Sequence, residues 1–183
     1  RYFVGDGIEM LVRRSLPFEV PDERELARFV ELARRAYAER WSCKTRPYPG
    51  VPEMVRAFAG AGFRLAVLSN KPDDAAHAVV RTFLPGIDFE VVLGATPTRP
   101  KKPDPAAALE VAERIGVPPA EIAFMGDTSV DMRTAVAAGM FPIGVLWGFR
   151  TAEELIDSGA RLLVAAPGDL LPLLPDRSPA PRI

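Results

Sequence analysis

Ile122-Ala123-Phe124-Met125-Gly126-Asp127-Thr128-Ser129-Val130-Asp131 is the stretch around which the rest of the chain makes sense. Ile122 to Met125 form a short apolar-leaning run ended by Gly126, the pattern of a buried strand. Asp127 then stands at that strand's carboxyl end. A turn leads into a helix that carries Asp131 in its first turn, runs through Met132 to Ala138 and stops at Gly139. In an open α/β sheet ligands bind at the carboxyl ends of the strands, so Asp127 and Asp131 would face one small volume. Such a pair suits a hard cation like Mg²⁺, which takes oxygen ligands and keeps several waters. The same residues also fit a purely structural role. Thr128 with Asp131 three residues on resembles a capping box, the helix dipole stabilises an acid in a first turn, and Asp127 fits a turn.

Outward from this stretch, helix and strand alternate. Val51 to Ala61 reads as a helix, and Phe63 to Leu68 as an apolar strand ending at Ser69-Asn70. A helix from Pro72 to Phe83 and a strand at Phe89 to Leu93 follow. A polar loop then runs through Lys102. Asp104 as N-cap and Pro105 at the first helical position open a helix that stops at Gly116. Beyond Asp131 come a strand at Phe141 to Trp147, a helix from about Ala152 and a strand at Leu162 to Val164. Strands separated by helices argue for an α/β protein with a doubly wound parallel sheet. Residues 1–46 lack a convincing strand. They read as a helical subdomain, with one short helix at Ile8 to Arg14 and a longer one from Pro21-Asp22, in which Leu26, Phe29, Val30, Leu32, Ala33, Tyr37 and Trp41 recur at helical spacing. Pro47 and Pro49-Gly50 mark the boundary to the α/β unit, 47–172, and residues 173–183 read as a flexible tail.

Composition narrows the function. With 23 basic against 24 acidic residues, nothing points to nucleic acid or an anionic membrane. One cysteine, Cys43, excludes an internal disulfide and reads as a small, at least half-buried residue. One histidine, His77, argues against a histidine zinc site or a His-dependent triad and reads as surface or packed. No run reaches the ~18 apolar residues of a membrane span, and no signal peptide opens the chain. The expectation is a cytoplasmic protein, monomer or homodimer. The first residue, Arg1, is not methionine and leads directly into patterned sequence, so a preceding piece is expected.

Three strand ends carry polar groups: Ser69-Asn70, the loop with Lys101-Lys102, and Asp127. In a doubly wound sheet these can converge. A hydroxyl, backbone amides and a lysine suit a phosphate, and the acidic pair would hold a metal bridging to it. Each has an ordinary alternative. Ser69-Asn70 is also a plausible turn and helix N-cap, Lys101-Lys102 a solvated loop, and Gly5-Asp6-Gly7 a helix entry.

The pattern resembles the haloacid dehalogenase superfamily of phosphotransferases. Leu68-Ser69-Asn70-Lys71-Pro72, Lys102-Pro103-Asp104-Pro105 and Gly126-Asp127-Thr128-Ser129-Val130-Asp131 correspond to its second, third and fourth motifs. Pro47-Tyr48-Pro49-Gly50-Val51, Ala137-Ala138-Gly139-Met140 and Trp147-Gly148-Phe149-Arg150 add a likeness to its phosphoglycolate phosphatase group. The resemblance implies that residues 1–46 are part of a helical cap. It implies Mg²⁺-dependent hydrolysis of a small phosphomonoester, 2-phosphoglycolate first, through an aspartyl-phosphate. It also implies that Ser69 binds a phosphate oxygen with Asn70 near it, that Lys102 offsets charge, and that Asp127 ligates the metal with support from Asp131. Pyrophosphatases and sugar-phosphate enzymes share these motifs. The first motif, Asp-x-Asp-Gly-Thr, does not occur in the chain, and Ile8 stands where a second aspartate would follow Asp6. The nucleophile is therefore expected upstream, and the polypeptide as given is expected not to turn over substrate. A non-catalytic phosphate-binding fragment is the alternative.

Overall fold

A computed structural model describes residues 8–17 and 22–175; Gly5-Asp6-Gly7 and Pro21 lie outside them. Helices α1 (Ile8–Ser15) and α2 (Glu23–Arg40) form an antiparallel-connected pair whose small core is Val12, Leu26 and Val30, with Ile8, Leu16, Phe29 and Ala33 around it. Leu32, read with them from the helical spacing, is exposed. Asp22 starts α2 as an N-cap, its side chain accepting from the Glu25 amide at 2.7 Å, and Arg13 pairs with Glu23 at 2.8 Å. Cys43 follows α2 and is exposed, where the sequence reading had it at least half-buried. It lies in the turn just past the helix, its amide bonded to the Arg40 carbonyl at 3.0 Å.

After the prolines, Gly50 (φ 83°) supplies the left-handed residue that opens α3 (Val51–Gly60). There follow β1 (Ala66–Pro72), α4 (Asp73–Phe83), β2 (Val91–Ala95), α5 (Ala106–Ile115), β3 (Ala123–Gly126), α6 (Ser129–Ala137), β4 (Phe141–Val145), α7 (Ala152–Asp157) and β5 (Leu162–Val164). The alternation is thus as expected, with shifted bounds. Phe63 is outside β1 and exposed, its ring lying edge-on to Phe58 of α3 at 5.1 Å. β1 instead continues through Ser69 and Asn70, with an irregularity in register between Leu68 and Pro72. α5 starts one residue later than expected, with Pro105 as its N-cap. Asp104 still accepts from the Ala106 amide at 2.8 Å. A 3-10 segment, Pro167–Leu173, follows β5 and buries Pro167 and Leu170.

All strand pairs are parallel, β1 with β2 and β3–β4–β5 in that order. Helices cover both faces. Along β4, Ile143 packs with Met54 of α3, while Gly144 faces Leu155 of α7, as period-two alternation requires. Small residues let α5 and α6 pack closely: Ala108, Ala112, Ala135 and Ala138 form one cluster with Met140, and Leu68 of β1 and Phe124 of β3 both rest on it.

No ladder joins β1 to β3 among the described residues. Burial confirms the discontinuity. The outer strand β2 buries Val91, Leu93 and Gly94, and β4 buries Pro142 to Val145, but no residue of β1 or β3 is fully buried, and Ala123 and Met125 are exposed. In an ordinary open sheet the exposure belongs at the edges; here it lies in the middle, between β1 and β3.

Candidate active site

The end of β3 is organised locally. Thr128, in extended conformation (φ −135°, ψ 159°), is the N-cap of α6. Its backbone N–H and hydroxyl both donate to Asp131 Oδ2, at 3.1 and 2.6 Å, and its Oγ1 accepts from the Asp131 amide at 3.3 Å. This is the capping box the sequence offered as the structural alternative. Asp131 also accepts, through Oδ1, a 2.6 Å bond from Lys102 Nζ, and the two side chains are only 10% and 12% exposed. Both oxygens of Asp131 are therefore engaged by protein donors. Gly126 permits this, since a Cβ there would lie 2.2 Å from the Asp131 Cβ.

The end of β1 is organised at long range. Asn70 Nδ2 donates to the Lys102 carbonyl at 3.0 Å, and its Oδ1 accepts from the Lys102 N–H at 2.8 Å, so one side-chain amide holds the loop's backbone on both sides. Lys102 Nζ donates a further bond to the Leu68 carbonyl at 3.1 Å. The loop that delivers Lys102 is anchored by Arg99, which bonds Glu110 at 3.0 Å, the Gly94 carbonyl at 2.8 Å and Asp73 at 3.4 Å. The Arg99 bonds hold the Glu110 carboxyl below its ordinary range, and the Gly94 amide does the same for Asp73. Ser69 Oγ accepts from the Lys71 amide at 3.1 Å. Its hydroxyl proton has no acceptor among the described residues and is available to an oxyanion.

Asp127 differs from both. Its Oδ2 accepts from the Phe149 N–H at 2.9 Å, and Gly148 lies so close that a Cβ would stand 2.2 Å from that oxygen. Burial pushes its carboxyl upward. The Phe149 bond opposes that shift, the neighbouring Asp131 charge adds to it, and Lys102 pulls it back. The carboxylate also accepts from its own backbone amide, and no other residue's donor reaches Oδ1 among the described residues. A desolvated carboxylate with one oxygen in reserve, beside another carboxylate, suits a cation.

That donor set fits Mg²⁺, which is content with one or two carboxylates and retains waters. Among the described residues no group of three or more His, Cys, Asp or Glu side chains gathers, so a site closed entirely by such groups is not formed there. The bonds of Lys102 to Leu68, Asn70 and Asp131 link the end of β1 to the start of α6, with Ser69 next to Leu68 and Asp127 next to Gly126 along the chain. Lys101 is exposed, and His77 is half-exposed on α4 with Nε2 3.6 Å from Asp73. Sequence reasoning passed over the bond from Lys102 to Asp131, the Phe149 amide, and the Arg99–Glu110–Asp73 brace. The adjacency Trp147-Gly148-Phe149 was noted without its part in holding Asp127.

Known proteins resemble the chain over most of its length. The profile of haloacid dehalogenase-like hydrolases matches residues 3–139. The phosphoglycolate phosphatase of Nitrosospira multiformis is 33% identical over 158 residues, covering 85% of this chain and 70% of that protein. That of Pseudomonas putida KT2440 is 33% identical over 183 residues, covering 96% of this chain and 64% of its own length. The chain therefore spans about two thirds of these relatives. A solved structure of a predicted phosphoglycolate phosphatase from Haemophilus somnus superposes with a TM-score of 0.81 at 27% identity, over 93% of this chain and 79% of that one.

Proposed function

The chain belongs to the haloacid dehalogenase-like hydrolase family, and within it we propose that the protein is a Mg²⁺-dependent phosphatase releasing phosphate from a small phosphomonoester, 2-phosphoglycolate first. The observation that carries this reading is the shared rim of β1 and β3. An available hydroxyl (Ser69), a buried ammonium (Lys102) and a desolvated carboxylate with a free oxygen (Asp127) meet there. Ser69 donates to a phosphoryl oxygen. Lys102 offsets negative charge while Asn70 fixes its backbone. Asp127 offers Oδ1 to the metal, and Asp131 supports the arrangement by holding Lys102 rather than by direct ligation. Mg²⁺, when bound, supplies charge neutralisation at the phosphoryl group.

The interval between β1 and β3 supports the rest of the reading. Half-exposed strand flanks on either side, both resting on one helical layer, are what a further parallel strand would cover. We place the nucleophilic aspartate on such a strand, upstream of Arg1, where its carboxyl end would reach the same rim. The helical pair α1–α2 is then part of the cap.

The test is phosphate release from 2-phosphoglycolate by the full-length protein, with and without EDTA. Release that chelation abolishes and Mg²⁺ restores is expected. Turnover indifferent to EDTA, or absent with every phosphomonoester tried, overturns the reading.

A further inference from the structure

Lys71 lies two residues beyond Ser69, and its amide is the donor to Ser69 Oγ. Its side chain leaves the α/β unit and meets the helical pair. Nζ donates to the Tyr37 hydroxyl at 2.5 Å and sits 4.8 Å from the Tyr37 ring centroid. One helical turn on, Trp41 packs edge-on against Phe83 at the end of α4, centroids 6.0 Å apart. Tyr37 and Trp41, four residues apart on one face, therefore hold α2 against the β1–α4 unit, with Lys71 beneath it.

Among the described residues Lys71 makes no ion pair. The acids that follow it are committed elsewhere, Asp73 to the Gly94 amide and Arg99, Asp74 to the Ala75 amide. An ammonium has three donors, and Tyr37 takes one. What results is a half-buried cation that no acid pairs among the described residues, two positions along the chain from the hydroxyl read as phosphate-binding and in contact with α2.

We propose that Lys71, steered by Tyr37, is the specificity-determining residue that takes the carboxylate of an anionic substrate whose phosphoryl group lies at Ser69 and Lys102. This rests on the phosphatase reading and adds to it the discrimination between phosphorylated acids and uncharged phosphomonoesters. Lys102 cannot serve this purpose, because the Leu68 carbonyl and Asp131 hold its Nζ at the position assigned to the phosphoryl group. Tyr37 is a positioning residue, acting through its hydroxyl on the ammonium.

Calorimetric binding of two phosphonates to the full-length protein with Mg²⁺ tests this without turnover: phosphonoacetate, which carries a carboxylate, and ethylphosphonate, which does not. Wild type is expected to favour phosphonoacetate about tenfold or more, as a charge-assisted bond allows. Lys71→Met should erase that preference and leave ethylphosphonate binding unchanged. Lys71→Arg should keep most of it, and Tyr37→Phe should reduce it about threefold. Thermal melts of each variant report folding. Equal binding of both phosphonates to wild type, or a preference that survives in a folded Lys71→Met, overturns the role of Lys71 and leaves the phosphatase reading standing. Failure of wild type to bind either phosphonate sinks both.

Discussion

At the end of β3, one hydroxyl, one amide and one carboxylate three residues apart do the positioning. At the end of β1 the same task falls to Asn70 and Lys102, 32 residues apart. The first arrangement forms as soon as α6 forms. The second needs β1, β2 and the Arg99 brace assembled, since only then is Lys102 within reach of both Asn70 and Leu68. Lys102 is the joint between the two, bonding Leu68 on one side and Asp131 on the other. Asp127 and Asp131, read from sequence as one pair, therefore do different work. Asp131 holds the joint, and Asp127 bonds only backbone amides among the described residues.

Asp127→Asn gives the largest expected effect, a loss of turnover of about 10³-fold, the scale of losing several kcal/mol of metal-mediated charge stabilisation. It should cost no stability. Because burial raises the Asp127 carboxyl above its ordinary value, its contribution is stabilising only at low pH and is lost as pH rises through the raised pKa. At pH 7 without divalent ions the amide variant should melt no lower than wild type, and Mg²⁺ should raise only the wild-type melting temperature. A variant that melts well below wild type would erase the distinction between the two acids.

Asp131→Ala should do the reverse and destabilise first. It strands the Lys102 ammonium, a change of about 3–5 kcal/mol for a buried pair, and removes the reciprocal cap. Urea denaturation should show that adding Lys102→Met recovers part of the loss. Simple additivity of the two changes would mean that they are not coupled.

Asn70→Ala leaves the Lys102 N–H and carbonyl without their side-chain partner and should cost about 1–3 kcal/mol. It should cost more turnover than its stability loss explains, because the loop still folds but no longer holds Lys102 in place. Equal turnover in wild type and variant, measured with saturating Mg²⁺, would show that the loop is held by other contacts.

The smallest effect concerns the brace. Asp73 titrates below its ordinary value of 3.8, first because of the Gly94 amide, so its contribution is present above that pH and lost as pH falls through the depressed value. The difference in urea midpoint between wild type and Asp73→Asn should hold steady from neutral pH to about 5 and shrink below about 4. Asp73 is too exposed for the difference to be large.

The same contrast explains what the sequence disclosed. Alternating apolar runs and glycine stops located the strands and α-helices of the α/β unit to within a few residues, because period and punctuation are local properties; they did not disclose the 3-10 segment Pro167–Leu173. The Thr128–Asp131 box was legible for that reason too. Lys102 reaching Asp131, Asn70 gripping a backbone 32 residues away and Phe149 capping Asp127 were not, because no spacing rule encodes a meeting of distant loops. The motif resemblance grouped Ser69, Lys102, Asp127 and Asp131, but not the bonds by which Lys102 and Thr128 engage both oxygens of Asp131. Lys71 stood unremarked within its motif because its partner, Tyr37, is on another element.

The lightly covered flanks of β1 and β3 have a practical consequence. Parallel strands whose N–H and C=O groups point outward without a ladder are templates for another backbone. A polypeptide confined to these residues would satisfy those groups by recruiting neighbours, growing into aggregates at high concentration. Since the linkage would be main-chain, added salt would not disperse them, whereas a synthetic peptide able to lie between the two strands would.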